Sequence, residues 1–319
     1  MNDTLPDISV VIPVFNEGAN LRPLVARLIP ALETARVSFE AIFVDDGSHD
    51  ESLAEIRTLC AQDGRFKALS FSRNFGKEVA IAAGLDHASG RAVVIMDSDL
   101  QHPPEVIPLF VDKWREGYKN VYGQRNDRAT DPKMRSFLTE MFYRLLDQFG
   151  DVALPEGAGD FRLLDRQAID ALLSMRERAR FNKGLYAWIG FKSIGVPFEV
   201  ESRGAGVSKF NFARLMRFAL DGLMSFSSIP LKVWTWVGLG ISGFALAMAA
   251  YYFVRTMLFG VDTPGFPSLI VSIAFFSGVQ LISLGVLGEY VARIFNEVKG
   301  RPLYLVAEKL GMEKSRAND

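Results

Sequence analysis

The sequence predicts an α/β domain with a mostly parallel sheet, followed by two helices long enough to cross a membrane. Two observations predict this order. Short apolar runs alternate with amphipathic stretches through the N-terminal part, and two long uncharged runs follow them. Alternating strands and helices favour a parallel sheet covered by helices on both faces, and uncharged runs of roughly 20 residues are typical of membrane spans.

The N-terminal part contains four runs rich in β-branched and aromatic side chains, as strands buried on both faces are. These predicted strands lie at residues 8–15, 39–44, 66–71 and 92–96. Helix-like stretches lie between them, at about residues 19–33, 51–61 and 77–87. A fifth strand is predicted at NVYGQR, which ends at Arg125. Ligands of such sheets bind outside the carboxyl ends of the strands, so polar residues there are the candidate site.

The composition limits the classes of protein to which the chain can belong. Its 319 residues are 49% hydrophobic, and 36 basic against 37 acidic side chains give a net charge of −1. These values exclude a disordered chain and argue against a nucleic-acid-binding protein, which usually carries a basic excess. The mean hydropathy of +0.13 is slightly high for a soluble protein of this size, because the apolar residues are concentrated in the two uncharged runs.

An acidic cluster follows the second predicted strand. Ser48 and Asp50 are expected to cap the next helix, a role that does not explain Asp45 and Asp46. A carboxylate at this position could accept hydrogen bonds from a nucleobase or a ribose. The chain has no GxGxxG or Walker lysine sequence, so a dinucleotide site and a P-loop have no support.

The fourth predicted strand runs into Asp97-Ser98-Asp99-Leu100-Gln101. Two carboxylates and an amide oxygen form an all-oxygen set that suits Mg²⁺ or Mn²⁺, with waters and substrate phosphates completing the shell. Such a metal stabilises the charge of a departing diphosphate. The alternative is a solvated turn at the end of a strand. His102 is expected to be a loop residue rather than a ligand.

Basic residues follow the sheet. Arg128 and Lys133 are expected to be solvated, whereas Arg203 and Lys209 flank the flexible loop GAGVS. Glycines allow backbone N–H groups to approach a phosphate, and the two cations could hold it from either side. A lipid-facing basic loop is an equal alternative for Lys209.

The two uncharged runs cover residues 233–254 and 263–288 and predict a helical hairpin in a membrane. Buried core helices are the alternative, but they are usually shorter and carry a polar stripe. Basic residues flank both ends of the hairpin, whereas the loop inside it offers only Arg255, so the positive-inside rule predicts that both flanks are cytoplasmic. The single cysteine, Cys60, suits a reducing compartment and is expected to be a buried, inert thiol.

Six strings resemble family 2 glycosyltransferases, and more narrowly the polyprenyl-phosphate glycosyltransferases, which include dolichol-phosphate mannose synthases and bacterial bactoprenol glucosyltransferases. The strings are VVIPVFNE, VDDGSHDES, SRNFGKE, MDSDLQHPPE, GDFRLLDR and SRGAGVSKF. They occur in the order of the family and, with the two apolar runs, cover nearly the whole chain. The resemblance implies a GT-A fold that binds a nucleotide sugar and transfers the sugar, with inversion, to a lipid-linked phosphate.

The resemblance also implies roles for single residues. The implied nucleotide pocket consists of Pro13, Phe15, Glu17, Val44 and Asp46. The implied diphosphate and metal site consists of Asp97, Ser98, Asp99 and Gln101, with Asp99 and Gln101 as direct ligands. The implied phosphate-contacting cations are Arg125, Arg203 and Lys209, and Arg135 is implied to bind the acceptor phosphate. Asp160 matches an acid near the acceptor, so the candidate catalytic residues are Asp99, Arg125, Asp160, Arg203 and Lys209.

The loop GQRNDRATDPKMR, which contains Arg135, follows the family pattern only loosely. The expected organisation is a catalytic domain at 1–210, a juxtamembrane amphipathic helix at 211–231, spans at about 232–256 and 266–290, and a cytoplasmic tail at 291–319. Residues 294–306 are expected to pair with a neighbouring chain or to dock on the domain. The expected location is the inner membrane, with both termini cytoplasmic.

The resemblance favours UDP-glucose as donor and undecaprenyl phosphate as acceptor, and leaves GDP-mannose and UDP-4-deoxy-4-formamido-arabinose open. A processive polysaccharide synthase is disfavoured because the chain has too few spans and lacks a QxxRW-type string. A membrane-tethered nucleotide-sugar sensor or scaffold without catalysis is the alternative of another class. Small residues on the first span, at Gly238, Gly240, Gly243 and Ala247, could support close helix packing and hence a homo-oligomer.

Overall fold

The computed structural model describes residues 5–125, 157–178, 180–199, 229–259 and 265–312. These residues belong to two compact units, which are described separately. The first unit contains the sheet and its helices, together with the segment from Arg301 onward. The second unit contains two long helices.

The elements of the first unit alternate between strand and helix up to β5. They are β1 (Ile8–Val14), α1 (Gly18–Thr34), β2 (Phe39–Asp45), α2 (Ser52–Gln62), β3 (Phe66–Phe71), α3 (Lys77–His87), β4 (Ala92–Ile95), α4 (Ile107–Arg115) and β5 (Asn120–Arg125). The later elements are β6 (Ala158–Asp165), α5 (Arg166–Ser174), α6 (Asn182–Trp188), β7 (Ser193–Phe198) and β8 (Val306–Leu310).

Within the described residues, the strands form one sheet in the order β7-β5-β6-β4-β1-β2-β3-β8. The pairs β1–β2, β1–β4, β2–β3 and β5–β7 are parallel, whereas β4–β6, β5–β6 and β3–β8 are antiparallel. The predicted α/β fold with a mostly parallel sheet is confirmed. The order reverses at β1, which lies between β2 and β4, and such a switch point opens a crevice at the carboxyl ends of the strands.

The first four strands lie where their apolar runs predict them, because each is buried along its length. Every residue of β1, β2 and β4 is buried, and helix α1 contributes Leu21, Leu24, Leu28 and Leu32, at helical spacing, to the same hydrophobic core. Cys60 packs against this core, and burial raises the pKa of its thiol to about 11, as expected for an inert cysteine.

The last described strand comes from the far end of the chain. Strand β8 pairs antiparallel with β3 and forms one edge of the sheet. Tyr304, just before β8, stacks on Phe71 with ring centroids 5.2 Å apart, and its hydroxyl donates a hydrogen bond to Asp86 at 2.9 Å. Of the two expectations for residues 294–306, the structure therefore shows contact with the domain in the part from Tyr304 onward.

The second unit consists of α7 (Ile229–Phe259) and α8 (Phe266–Val298). Large apolar side chains on both helices are exposed, including Trp236 and Met257 on α7 and Leu281 on α8. Among the described residues, one stretch is long and apolar enough to cross a membrane, at Phe275–Val298 in α8.

Candidate functional site

A cavity of about 740 Å³ lies at the carboxyl ends of β1 to β4, where the order of the strands reverses. Polar side chains from the loops after all four strands reach it. Its lining residues are Pro13, Val14, Phe15, Glu17, Asp46, Asn74, Gly76, Lys77, Ala80, Asp97, Ser98 and Asp99. The rule that ligands of parallel sheets bind at this edge therefore locates the cavity correctly.

The residues expected to bind the nucleotide mostly meet in this cavity. Pro13, Phe15, Glu17 and Asp46 line it, and Phe15 is 43% exposed. Val44 is fully buried in β2 and does not line the cavity. Its position opposite Pro13 in the parallel ladder makes it a support for this wall rather than a lining residue.

Asp46 fixes the loop that follows β3. Its carboxylate accepts hydrogen bonds from the backbone N–H groups of Phe75 at 2.6 Å and Gly76 at 2.9 Å. Burial raises the pKa of Asp46, and the two backbone donors oppose this shift only in part. Gly47 has φ +69°, and a Cβ there would lie 2.6 Å from the carbonyl carbon of Arg73, so only glycine allows the two loops to approach this closely.

The other residues of the acidic cluster hold the loop structure together. Asp45 accepts hydrogen bonds from Ser48 N–H at 3.0 Å and from the Ser70 hydroxyl at 2.7 Å. Asp50 accepts from Ser52 N–H at the start of α2, but Ser48 instead accepts from Asn16 N–H in the neighbouring loop. The expectation that Ser48 caps its own helix is wrong, because its hydroxyl joins the two loops that border the cavity.

The Asp97–Gln101 segment presents its two carboxylates to the cavity. Asp97, Ser98 and Asp99 line it, whereas Gln101 does not, and the backbone N–H of Gln101 donates to Asp99 at 3.1 Å. Ser98 donates its hydroxyl to the Pro13 carbonyl oxygen at 3.1 Å, which joins the end of β4 to the end of β1.

His102 has a structural role. Its ring stacks on Phe161 with centroids 4.8 Å apart, and its Nδ1 accepts a hydrogen bond from Asp97 N–H at 3.1 Å. Burial lowers the pKa of His102, which favours the neutral ring that this hydrogen bond requires. His102 lies in the loop after β4, as the sequence predicts.

Asp160 and Asp97 are bridged by one lysine. The ammonium of Lys77 lies 2.7 Å from Asp97 and 3.0 Å from Asp160. Burial alone would raise the pKa of Asp160, but the charges of Lys77 and Lys183 and the hydrogen bond from Lys77 together outweigh burial and hold the pKa below its ordinary value. Glu78, close to Asp160, has its pKa raised to about 7, by burial first and by the charge of Asp160 second. The site therefore contains an ionised Asp160 held by a cation.

Of the basic residues predicted to bind phosphate, only Arg125 lies within the described residues. Arg125 is the last residue of β5, opposite Phe198 in the ladder with β7. The predicted site residues Arg135, Arg203 and Lys209 lie outside the described residues, as do Arg128 and Lys133.

Sequence reasoning missed the contribution of the loop after β3. Asn74, Gly76 and Lys77 line the cavity but were not among the expected site residues, although all three belong to the string SRNFGKE. The signal was present, because this string follows the carboxyl end of a parallel strand, as the chosen acidic residues do.

Comparison with known proteins identifies the family. The model of glycosyl transferase family 2 matches residues 9–173. An uncharacterized glycosyltransferase of Synechocystis sp. is 47% identical over 307 residues, which cover 96% of each chain. The prophage-derived bactoprenol glucosyl transferase of Shigella flexneri is 42% identical over 299 residues, which cover 94% of this chain and 97% of that protein.

Among solved structures, the mannosyltransferase of Pyrobaculum calidifontis in complex with GDP-Man and Mn²⁺ is similar with a TM-score of 0.46 and 15% identity, covering 94% of this chain and 89% of that one. The match of the family model and the identity to both relatives extend over the strands and loops that form the cavity. The chain belongs to glycosyl transferase family 2.

Proposed function

We propose that the protein is an inverting glycosyltransferase that moves glucose from UDP-glucose to undecaprenyl phosphate at the cytoplasmic face of a membrane and releases UDP. The observation that carries the proposal is the cavity at the switch point of the sheet. Asp46, Asp97 and Asp99 all line this cavity. The S. flexneri relative, a bactoprenol glucosyl transferase similar over 94% of the chain, supports the lipid acceptor and the glucose donor.

The nucleotide is assigned to the part of the cavity between the ends of β1 and β2. Pro13 and Phe15 offer an apolar wall, and Glu17 and Asp46 offer carboxylate oxygens to a ribose or a uracil. Val44 supports this wall from within the sheet. Because Asp46 is held by two backbone N–H groups, its orientation is set before a ligand binds.

Asp97, Asp99 and Gln101 are assigned to a divalent metal, Mg²⁺ or Mn²⁺. The two carboxylates that line the cavity fit such a hard cation, which takes one or two protein carboxylates and completes its shell with waters and phosphate oxygens. Bound there, the cation would supply charge stabilisation for the departing diphosphate. Ser98 places the two carboxylates through its bond to Pro13.

The proposed reaction is a displacement at the anomeric carbon of the sugar. An oxygen of the lipid phosphate forms a new bond to the anomeric carbon. At the same time the bond between the anomeric carbon and the diphosphate oxygen breaks, and the diphosphate leaves as UDP. Two anions must approach each other, so positioning and charge screening are the dominant contributions. We assign this screening to Arg125, Arg203 and Lys209, and the acceptor phosphate to Arg135.

A general base contributes little to this reaction. A phosphate monoester has its second pKa near about 6, so it already carries an attacking anionic oxygen at neutral pH. The ion pair with Lys77, 3.0 Å away, also makes Asp160 a weak base. We therefore expect Asp160 to act by electrostatic organisation of the site.

The helical unit is assigned to the membrane, with α7 and α8 as two spans and the catalytic domain and both termini in the cytoplasm. The exposed apolar side chains of both helices support this assignment, because exposed apolar surface of this extent is typical of a membrane contact. The domain limits 1–210, 211–231, 232–290 and 291–319 are part of the proposal. A catalytic domain held at the membrane meets its lipid acceptor at a raised effective concentration.

The test is a screen of nucleotide sugars against the full chain in vesicles that contain undecaprenyl phosphate, with mass spectrometry of the lipid product. We expect UDP-glucose and a divalent cation to give a lipid phosphate that carries one hexose. Product formed only from GDP-mannose or only from UDP-4-deoxy-4-formamido-arabinose would contradict UDP-glucose as the donor but would still support sugar transfer to the lipid phosphate. Binding of a nucleotide sugar without any lipid product would contradict the reaction and favour the sensor alternative.

A further inference from the structure

Lys77 occupies a position that local rules do not explain. It is the first residue of α3, where the positive end of the helix dipole disfavours a cation. Two carboxylates from other parts of the chain compensate for this cost, with Asp97 at 2.7 Å and Asp160 at 3.0 Å from its Nζ atom. A residue that violates a local preference and is stabilised by distant partners is a candidate for a functional role.

The two acids differ in their access to the cavity. Lys77 lines the cavity, and 42% of its side chain is exposed, whereas the side chain of Asp160 is 11% exposed and does not line the cavity. One carboxylate oxygen of Asp160, Oδ1, is buried with no hydrogen-bond partner among the described residues. Among the described residues, the ammonium of Lys77 is therefore accessible to a ligand in the cavity, whereas the carboxylate of Asp160 lies behind it.

We propose that Lys77 contacts an anionic phosphate oxygen of a substrate in this cavity, and that Asp160 is a positioning residue that holds the ammonium in place. The proposal rests on the proposed function. An ammonium has three N–H donors, of which the two carboxylates take two, so one is left for a phosphate oxygen. The oxygen belongs to the diphosphate of the nucleotide or to the monophosphate of the lipid, and the two sources can be separated experimentally.

The first arm of the test measures UDP binding by calorimetry in the presence of Mn²⁺. If Lys77 contacts the diphosphate, Lys77→Met raises the Kd for UDP at least about tenfold, the loss typical of a hydrogen bond from a charged group. The second arm measures the KM for undecaprenyl phosphate at saturating UDP-glucose. If Lys77 contacts the acceptor, this KM rises by a similar factor and the Kd for UDP does not change. Less than a threefold change in both quantities would overturn the proposal.

The role of Asp160 is tested by non-additivity. We expect Asp160→Asn to weaken the affected quantity by a smaller factor, and Lys77→Met/Asp160→Asn to be no weaker than Lys77→Met alone, because Asp160 acts through Lys77. Losses that multiply in the double variant would overturn the positioning role. If Lys77→Met does not fold, Lys77→Gln replaces it, since glutamine keeps a polar side chain without the charge.

Two measurements separate this role from structural effects. Lys67→Met is the matched control, because Lys67 also pairs with a buried carboxylate, Glu40, at 2.6 Å but does not line the cavity. Lys67→Met should leave the Kd for UDP and the KM for undecaprenyl phosphate unchanged.

Mn²⁺ binding alone, followed by electron paramagnetic resonance, should be equal or tighter in Lys77→Met, and weaker Mn²⁺ binding would contradict the proposal. A wild-type protein that binds neither UDP nor GDP would overturn the proposed function, and this proposal with it.

Discussion

Two clusters of lysine and carboxylate side chains lie at opposite ends of the same parallel strands. At the amino ends, Glu40 of β2 accepts hydrogen bonds from Ser9, Ser89 and Lys67, each at 2.6 to 2.8 Å. At the carboxyl ends, Lys77 bridges Asp97 and Asp160 beside the cavity. We name these the Glu40 cluster and the Lys77 cluster.

The clusters differ in how completely their polar atoms are satisfied. Both carboxylate oxygens of Glu40 have donors, whereas Asp160 Oδ1 has no partner among the described residues and Lys77 remains accessible from the cavity. A fully satisfied buried network stabilises the fold, and an incompletely satisfied one at the carboxyl edge is available to a ligand. The comparison therefore assigns stability to the amino end of the sheet and chemistry to the carboxyl end.

The largest expected effect is on catalysis at the carboxyl end. Asp99→Asn should reduce transfer at least about a thousandfold, because it removes a charge from the proposed metal and diphosphate site. The measurement is lipid-product formation, and the melting temperature should stay close to that of the wild type. Asp112→Asn is the control, since Asp112 is an exposed acid on α4. Full activity of Asp99→Asn would contradict the assignment of catalysis to the carboxyl end of the sheet.

The next effect is on stability at the amino end. Glu40→Gln should lower the free energy of unfolding by about 2 kcal/mol, because Lys67 loses its ionic partner and the donors of Ser9 and Ser89 lose a charged acceptor. Thermal unfolding of the full chain measures this loss, and the Kd for UDP should not change. A change in Kd without a loss of stability would reverse the assignment of the two clusters.

The Glu40 cluster also predicts a pH dependence. Burial opposes ionisation of Glu40, but hydrogen bonds led by Lys67 outweigh it and lower the pKa below the ordinary value of 4.5. A lowered folded-state pKa stabilises the fold above the unfolded-state value, and this stabilisation is lost as the pH falls. The wild type should therefore lose stability more steeply than Glu40→Gln below about pH 4.5. Parallel curves from pH 7 to pH 3 would contradict this expectation.

A smaller effect is expected at Asp160. Asp160→Asn should retain measurable transfer, reduced by about tenfold, because the acceptor phosphate needs positioning more than deprotonation. Steady-state kinetics against both substrates checks this value. A dead Asp160→Asn enzyme with intact substrate binding would show that Asp160 is an essential base.

The smallest effect is expected at the edge of the sheet, away from both clusters. Tyr304→Phe removes the hydrogen bond to Asp86 but keeps the stacking on Phe71, so it should cost about 1 kcal/mol of stability and leave KM values unchanged. Thermal unfolding and kinetics of the same sample check both statements. A raised KM for UDP-glucose would mean that the edge strand also supports the cavity.

The sequence predicts the first half of the sheet well and its edges poorly. Strands β1 to β4 are mostly apolar runs that are buried except at Lys67 of β3, and this signal is local. Strand β8, VAEKL, carries two charges and is a strand because it pairs with β3, far earlier in the chain. Such a partner cannot be found from local pattern.

The candidate site divides in the same way. Acidic residues directly after buried strands, such as Asp46 and Asp99, could be found because their position and chemistry coincide. Lys77 follows a buried parallel strand in the same way, but a lysine at the start of a helix is usually solvated, so position alone does not reveal its partners. Its role depends on Asp160, which only the pairing of β6 with β4 brings near the carboxyl end of the parallel strands.

The most direct test of the account is the release of UDP from UDP-glucose by the full chain in vesicles with and without undecaprenyl phosphate. We expect release to require both the lipid phosphate and a divalent cation, and each UDP released to be matched by one glucosylated lipid. Release at the same rate without the lipid, or no release with both present, would contradict the claim that the cavity brings a nucleotide sugar and a lipid phosphate together.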